Sequence, residues 1–216
     1  MAEKQTPDFL LEEQAKNKGF NRVCGIDEAG RGPLAGPVYA AAVVLDPEKE
    51  IPGLNDSKKL TPKKRDMLFS LIIENAVDYS VASATVEEID NLNILGATCL
   101  AMNRAWEGLN EQADYALVDG NRDPRLPVET ECVVKGDARS MSIAAASILA
   151  KVSRDRHMLE IAKTYPEYLF EKHKGYGTKA HYKAIIENGV TPIHRRTFLK
   201  NLDEHRRKLE EENKSE

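Results

Sequence analysis

The run Val23-Cys24-Gly25-Ile26 stops on two adjacent acids, Asp27-Glu28, with Ala29-Gly30-Arg31-Gly32-Pro33 directly behind them. This segment narrows the possible folds more than any other. A strand that ends on neighbouring carboxylates must end at an open edge, because burying either charge unpaired costs on the order of several kcal/mol. The two also repel each other, so something of opposite charge has to stand beside them. Hard oxygen ligands of this kind suit a divalent cation. The Gly-Arg-Gly that follows offers bare backbone and a fork of donors, which suits a phosphate or a sugar. A cation on one side and a polyanion on the other point to phosphodiester chemistry.

Two further strands are predicted to end on acids. Tyr115 to Val118 reads as a strand ending at Asp119, and Glu131 to Lys135 as one ending at Gly136-Asp137. In an α/β sheet, residues just past neighbouring strand ends gather at one edge, where ligands bind. Asp27, Glu28, Asp119 and Asp137 are therefore expected to converge. Four like charges need cations to coexist, and ligation by oxygen alone favours Mg²⁺ or Mn²⁺, two ions here, over zinc. Each acid also has a plain structural use. Asp119-Gly120-Asn121 is strong turn chemistry, and Asp137 could cap the helix that starts near Ser140. The conjunction is what is specific.

The rest of the pattern supplies a frame. A short helix is expected over 8–18, with Phe9, Leu10 and Phe20 inward, then a strand over 22–27. Val38 to Leu45 reads as a second, buried strand, reached through a turn stiffened by Pro33 and Pro37. Thr61-Pro62 opens a helix running to Asn75, and Tyr79 to Thr85 alternates as a strand. Thr85-Val86-Glu87-Glu88 is a capping box. It opens a long helix with the stripe Ile89, Leu92, Leu95, Cys99, Met102, Trp106. A last long helix runs from Ser140 to Lys163, and its alanine-rich start suits close packing on a sheet. The order predicts an α/β fold, a mixed sheet of about five strands flanked by helices. Residues 1–163 make this core, 164–200 a small helical appendage, and 201–216 a charged tail expected to be a frayed helix and then disordered.

A net charge of −4 argues at first against a nucleic-acid partner. The distribution reverses that reading. Residues 151–200 hold 11 Lys and Arg against 5 Asp and Glu, and residues 56–65 hold 5 against 1. Local basic surface is what a phosphate backbone needs, and Lys58 and Lys59 are candidates to hold it. Cys24, Cys99 and Cys132 sit in apolar contexts without metal-like spacing, so they read as buried thiols. No apolar stretch is long enough to span a bilayer, and the N-terminus lacks a signal-peptide pattern. A membrane role is excluded on this reading, and a cytoplasmic location is expected.

At this point the residues resemble a known family. Ile26-Asp27-Glu28-Ala29-Gly30-Arg31-Gly32-Pro33-Leu34-Ala35-Gly36-Pro37-Val38 is similar to the signature of ribonuclease HII. The likeness continues through Asp56-Ser57-Lys58-Lys59-Leu60, Val118-Asp119-Gly120, Lys135-Gly136-Asp137 and the helix Ser142 to Asp155. It closes with His173-Lys174-Gly175-Tyr176-Gly177-Thr178, His181, and Pro192 to Phe198, so that it covers roughly residues 8–200. The resemblance implies a ribonuclease H-like fold with a small C-terminal helical domain. The activity it implies is endonucleolytic cleavage of RNA in RNA–DNA hybrids, including at a single ribonucleotide embedded in duplex DNA, leaving 3′-hydroxyl and 5′-phosphate ends. The partners implied are RNA–DNA hybrid and ribonucleotide-containing duplex DNA, met by a monomer. By the same resemblance Asp27, Glu28, Asp119 and Asp137 are the catalytic, metal-binding acids. Gly30, Arg31 and Gly32 read the 2′-hydroxyl, and Tyr176 stacks on the sugar beside the RNA–DNA junction. Leu169 and Thr197 depart from the family pattern, standing where glycine and serine are common. Two rivals remain: a nuclease of similar fold that ignores ribose, and a binding module without catalysis.

Overall fold

The computed structural model describes residues 6–49 and 51–215. Helix α1 (Leu10–Asn17) precedes strands β1 (Val23–Ala29) and β2 (Val38–Val44). Helix α2 (Pro62–Asn75), strand β3 (Asp78–Ala84) and helix α3 (Val86–Glu107) follow. Strands β4 (Tyr115–Asp119) and β5 (Glu129–Val133) lead to helix α4 (Met141–Thr164), then to α5 (Phe170–His173), α6 (Lys179–Asn188) and α7 (Leu202–Ser215). The strands form one mixed sheet in the order β3-β2-β1-β4-β5. β2 runs antiparallel to both β1 and β3, whereas β4 runs parallel to β1 and β5.

Alternation along the strands assigns the two faces. Cys24 and Ile26 of β1 and Ala40, Ala42 and Val44 of β2 pack with Ala97, Ala101 and Trp106 of α3. Ala41 and Val43 face the other way, onto Ile148, Leu149 and Val152 of α4 and Leu68 and Ile72 of α2. Small side chains let α4 close onto the sheet. At Gly25 the approach leaves no room for a methyl group, since a Cβ there would lie 2.1 Å from the Ser142 carbonyl carbon. A third apolar cluster joins Met158 and Ala162 of α4 to Tyr168, Phe170, Tyr182 and Ile185.

The structure corrects several expectations. β1 continues two residues past the expected end, and Asp27 and Glu28 sit within it, opposite Ala41 and Ala40 of β2. The antiparallel ladder with β2 simply outlasts the parallel one with β4, whose last partner on β1 is Ile26. Leu10 is exposed, and Leu11 and Ala15 take the inward positions. Leu92 is exposed as well. α3 kinks at Asn93 (φ 58°, ψ 170°), whose side chain accepts the N–H groups of Leu95 and Gly96 and restarts the helix in a new phase. β5 lies two residues earlier than expected, because Lys135 turns into the left-handed region (φ 56°) and leaves Val134 exposed.

The tail forms α7, and the helix expected at its start runs on to Ser215. Leu202 packs on the third cluster, the His205 ring stacks on Tyr182 at 3.6 Å, and Glu204 pairs with Lys208 one turn on. Leu169 adopts φ 57°, a conformation that favours the glycine its position often carries in the resembled family. No helix among the described residues is long and apolar enough to cross a membrane.

Candidate active site

The register of the sheet brings the acids together. Ile26 of β1 lies beside Val118 of β4, so the next residues on the two parallel strands, Asp27 and Asp119, end side by side. Asp27 points to the α4 face, near Ser147, and it accepts the Glu28 N–H at 2.7 Å. Glu28 takes the opposite side, against Leu95 and Thr98 of α3, and pairs with Arg31 at 3.2 Å. Asp119 accepts the Gly136 N–H at 2.6 Å and so ties down the short turn that carries Asp137. Ser140 then caps α4, accepting the Ile143 N–H at 3.1 Å. Buried Glu12 of α1 holds this corner through the Ser140 hydroxyl and the Ser142 N–H, at 2.6 and 2.9 Å.

The electrostatics show how uncomfortable the cluster is. Burial, then the charges of Glu28 and Asp119, hold the Asp27 carboxyl well above its ordinary value. Burial raises Glu28, with Arg31 opposing. Burial, Asp119 and Asp56 push Asp137 up to about 6. Burial alone would lower the Lys58 ammonium, but Asp27, Asp137, Asp56 and Asp119 outweigh it and raise it. Lys58 therefore lies in the field of the acids as well as on the cleft wall. Asp27, Glu28 and Asp137 each feel the charge of Asp119. Among the described residues no three His, Cys, Asp or Glu groups are arranged to hold a metal ion. Like charges this close turn to the donors at hand, which here are Arg31, Lys58 and the two backbone N–H groups.

Asp27 and Glu28 open onto a cleft of about 520 Å³ that Gly30 to Gly32, Lys58 and Tyr176 also line. Tyr176 is half exposed, and its ring sits 3.8 Å from where a Gly32 Cβ would be. Lys151 and Tyr176 also wall a second groove of about 440 Å³, where Arg65, Arg156, Lys172 and Lys174 outnumber Asp66 and Asp155.

Sequence reasoning missed two arginines that hold the glycine loop. Arg195, fully buried, donates to the carbonyls of Gly30, Arg31 and Gly36 at 2.6, 3.0 and 2.9 Å. Burial, with Arg154 nearby, pushes it down to about 9. Arg154, also fully buried, donates to Pro37 and Ala35 and lies across Gly30. Gly30 has φ 101°, and a Cβ there would sit 2.1 Å from the Arg154 Nε. The one available signal was an arginine in register with the apolar face of α4.

Sheet order, the placement of the acids and the adjoining basic groove put the molecule among the ribonuclease H-like nucleases. The family model "Ribonuclease HII" matches residues 24–201. Ribonuclease HII of Caldicellulosiruptor bescii is 55% identical over 194 residues, covering 90% of this chain and 94% of that one. Ribonuclease H2 from Pyrococcus horikoshii OT3 superposes with a TM-score of 0.69 and 32% identity, over 86% of this chain and 99% of that one. Bst-RNase HIII, solved in complex with Mn²⁺, shares the fold at a TM-score of 0.67 and 18% identity, over 85% of this chain and 68% of that one. The chain belongs to the ribonuclease HII family, and is thus a hydrolase, an endoribonuclease acting on RNA–DNA hybrids.

Proposed function

We propose that this enzyme cuts the phosphodiester on the 5′ side of a ribonucleotide, both within hybrids and at a single ribonucleotide in duplex DNA. The products carry 3′-hydroxyl and 5′-phosphate ends. One observation carries the reading: Asp27, Glu28, the Gly30–Gly32 backbone and Tyr176 share a single cleft, and Asp119 lies beside Asp27 at its edge. Only the 2′-hydroxyl separates RNA from DNA at one position, and glycine backbone approaches it with no side chain in the way. Arg195 and Arg154 fix that backbone from behind, so the loop meets the sugar already ordered. Tyr176 offers a ring to the neighbouring sugar. The groove beyond it, with Arg156, Lys172 and Lys174, supports the phosphate path. Residues 1–163 serve as the catalytic domain and 164–200 as the substrate-binding appendage.

The donor chemistry fits a pair of Mg²⁺ or Mn²⁺ ions. The set is oxygen only, and burial with mutual repulsion holds three of its four members above their ordinary values. Asp27, Glu28, Asp119 and Asp137 would hold the ions, which when bound supply an activated water and stabilise the leaving 3′ oxygen. The Glu28 N–H keeps the Asp27 carboxylate aimed, and the Gly136 N–H does the same for Asp119. Lys58 shares the field of the acids and lies within reach of a phosphate entering the cleft.

The test is a duplex carrying one ribonucleotide beside an all-DNA control, with and without a chelator. A single cut 5′ of the ribonucleotide, abolished by the chelator, is expected. Equal cutting of the all-DNA control would favour a ribose-blind nuclease, and binding without turnover a retired scaffold. Tyr176→Ala is expected to slow cleavage at a lone ribonucleotide about tenfold more than cleavage inside a long hybrid, the scale of one lost stacking contact. Single-turnover rates on the two substrates decide this, and equal losses would remove the junction role.

A further inference from the structure

Three histidines lie behind the Tyr176 loop, away from the acids, and the hydrogen bonds around them leave little freedom. The Thr191 N–H donates to His194 Nδ1 at 3.0 Å, so that nitrogen is an acceptor and the His194 proton sits on Nε2. His194 Nε2 meets His181 Nε2 at 3.1 Å, which makes the latter an acceptor too. The His181 proton must then sit on Nδ1, which donates to the Tyr176 carbonyl at 3.0 Å. One backbone N–H thus fixes two tautomers in series and ends on the residue in the cleft. His173 backs the arrangement. It accepts the Gly175 N–H on Nδ1, faces the Tyr168 carbonyl with Nε2 at 2.9 Å, and stacks on His181 at 4.5 Å between ring centres. His181 and His194 are fully buried beside Phe170.

We infer that His181 and His194 form a directional relay that positions Tyr176, making both of them positioning residues for cleavage at a ribonucleotide junction. The inference rests on the junction role of Tyr176 proposed above. Its physical basis is that the loop makes few other choices available. Gly175 is pressed against the Ala35 carbonyl at φ 85°, so the chain enters Tyr176 from a fixed point. The Tyr176 N–H goes to the His173 carbonyl, and its carbonyl takes the Thr178 N–H and the His181 proton. Turning the His181 tautomer over would leave a bare nitrogen against that carbonyl and set two N–H groups against each other at His194. Burial pushes both rings down to about 4, which keeps the neutral, ordered form in place at working pH.

The test compares His194→Phe, which keeps an aromatic ring but removes both nitrogens, with His194→Gln, whose amide can still accept from Thr191 and donate to His181. His194→Phe is expected to lower kcat at a lone ribonucleotide by about tenfold to a hundredfold, with long-hybrid cleavage much less affected. His194→Gln is expected to recover most of that loss. In a Tyr176→Ala background, His194→Phe should add nothing. If Tyr176→Ala shows no junction preference, the reading of Tyr176 fails. If it shows one and His194→Phe leaves cleavage unchanged, or adds its full loss on top of Tyr176→Ala, the relay fails. Nitrogen-15 NMR of the unaltered protein gives a check that needs no activity or folded variant: His181 should carry its proton on Nδ1 and His194 on Nε2. The opposite assignment at either ring would overturn the proposal.

Discussion

Asp27→Asn is expected to do two opposite things: lower turnover by about 10³-fold or more, and raise the thermal midpoint of the protein measured in chelator. The first follows from the loss of a charged oxygen ligand in a site that must bear cation and developing negative charge. A factor of that size corresponds to about 4 kcal/mol of transition-state stabilisation. The second follows from the present discomfort of the carboxylate, buried beside Glu28 and Asp119. Asparagine keeps the acceptor used by the Glu28 N–H and removes the charge, so about 1 kcal/mol of repulsion goes, raising the midpoint by roughly 2–4 °C for a chain of this size. The pH dependence has a definite sign. Asp137 titrates near 6 in the fold and near its ordinary value when unfolded. Between about 4 and 6 the folded acids bind more protons than the unfolded ones, so their contribution to stability falls as pH rises through that window. In Asp27→Asn that fall should be shallower. Full turnover of the variant at saturating Mg²⁺ would sink the catalytic assignment. An unchanged midpoint in chelator would show that the acids do not strain the fold.

The acid cluster was legible because each acid sits at the end of a hydrophobic run, and sheet architecture sends such ends to one edge. Legibility failed where geometry depends on a partner distant in sequence. Nothing local says that β2 will outlast β4 as a partner of β1, so the strand expected over 22–27 stops at Asp27, whereas β1 carries Glu28 and Ala29 into the ladder as well. The apolar stripe of α3 was read as one helix, whereas Asn93 breaks its phase by capping the second half from within. Arg154 and Arg195 are invisible to pattern because their partners are backbone carbonyls 117 to 165 residues away. Leu169 shows the reverse case. Its departure from glycine was visible in the sequence, but only the left-handed backbone explains why glycine is favoured there.

Gly25→Ala is expected to be the most damaging single methyl group in the chain, lowering stability by about 4 kcal/mol or more. Glycine inside a buried central strand is a weak choice unless another backbone must come close, and here one does. A Cβ at residue 25 would meet the Ser142 carbon, the Ile143 nitrogen and the Ser142 oxygen at 2.1, 2.2 and 2.5 Å, all of them backbone and none able to swing aside. The first turn of α4 has no room to retreat. Glu12 clamps it through the Ser140 hydroxyl and the Ser142 N–H, and the helix behind it fills the sheet face with Ala145, Ala146, Ile148 and Leu149. Pushing that turn outward also drags Asp137, three residues before its cap, away from Asp119. Gly32→Ala is the matched control, because its Cβ would make only ordinary contact with Tyr176 at 3.8 Å. That variant should unfold in urea within about 1 kcal/mol of the parent, yet cleave single ribonucleotides poorly, since its methyl group projects toward Tyr176 in the cleft. Urea titrations of the two variants separate the roles. A Gly25→Ala protein as stable as the parent would mean that α4 does not rest on β1 this closely, and the placement of Asp137 would lose its support.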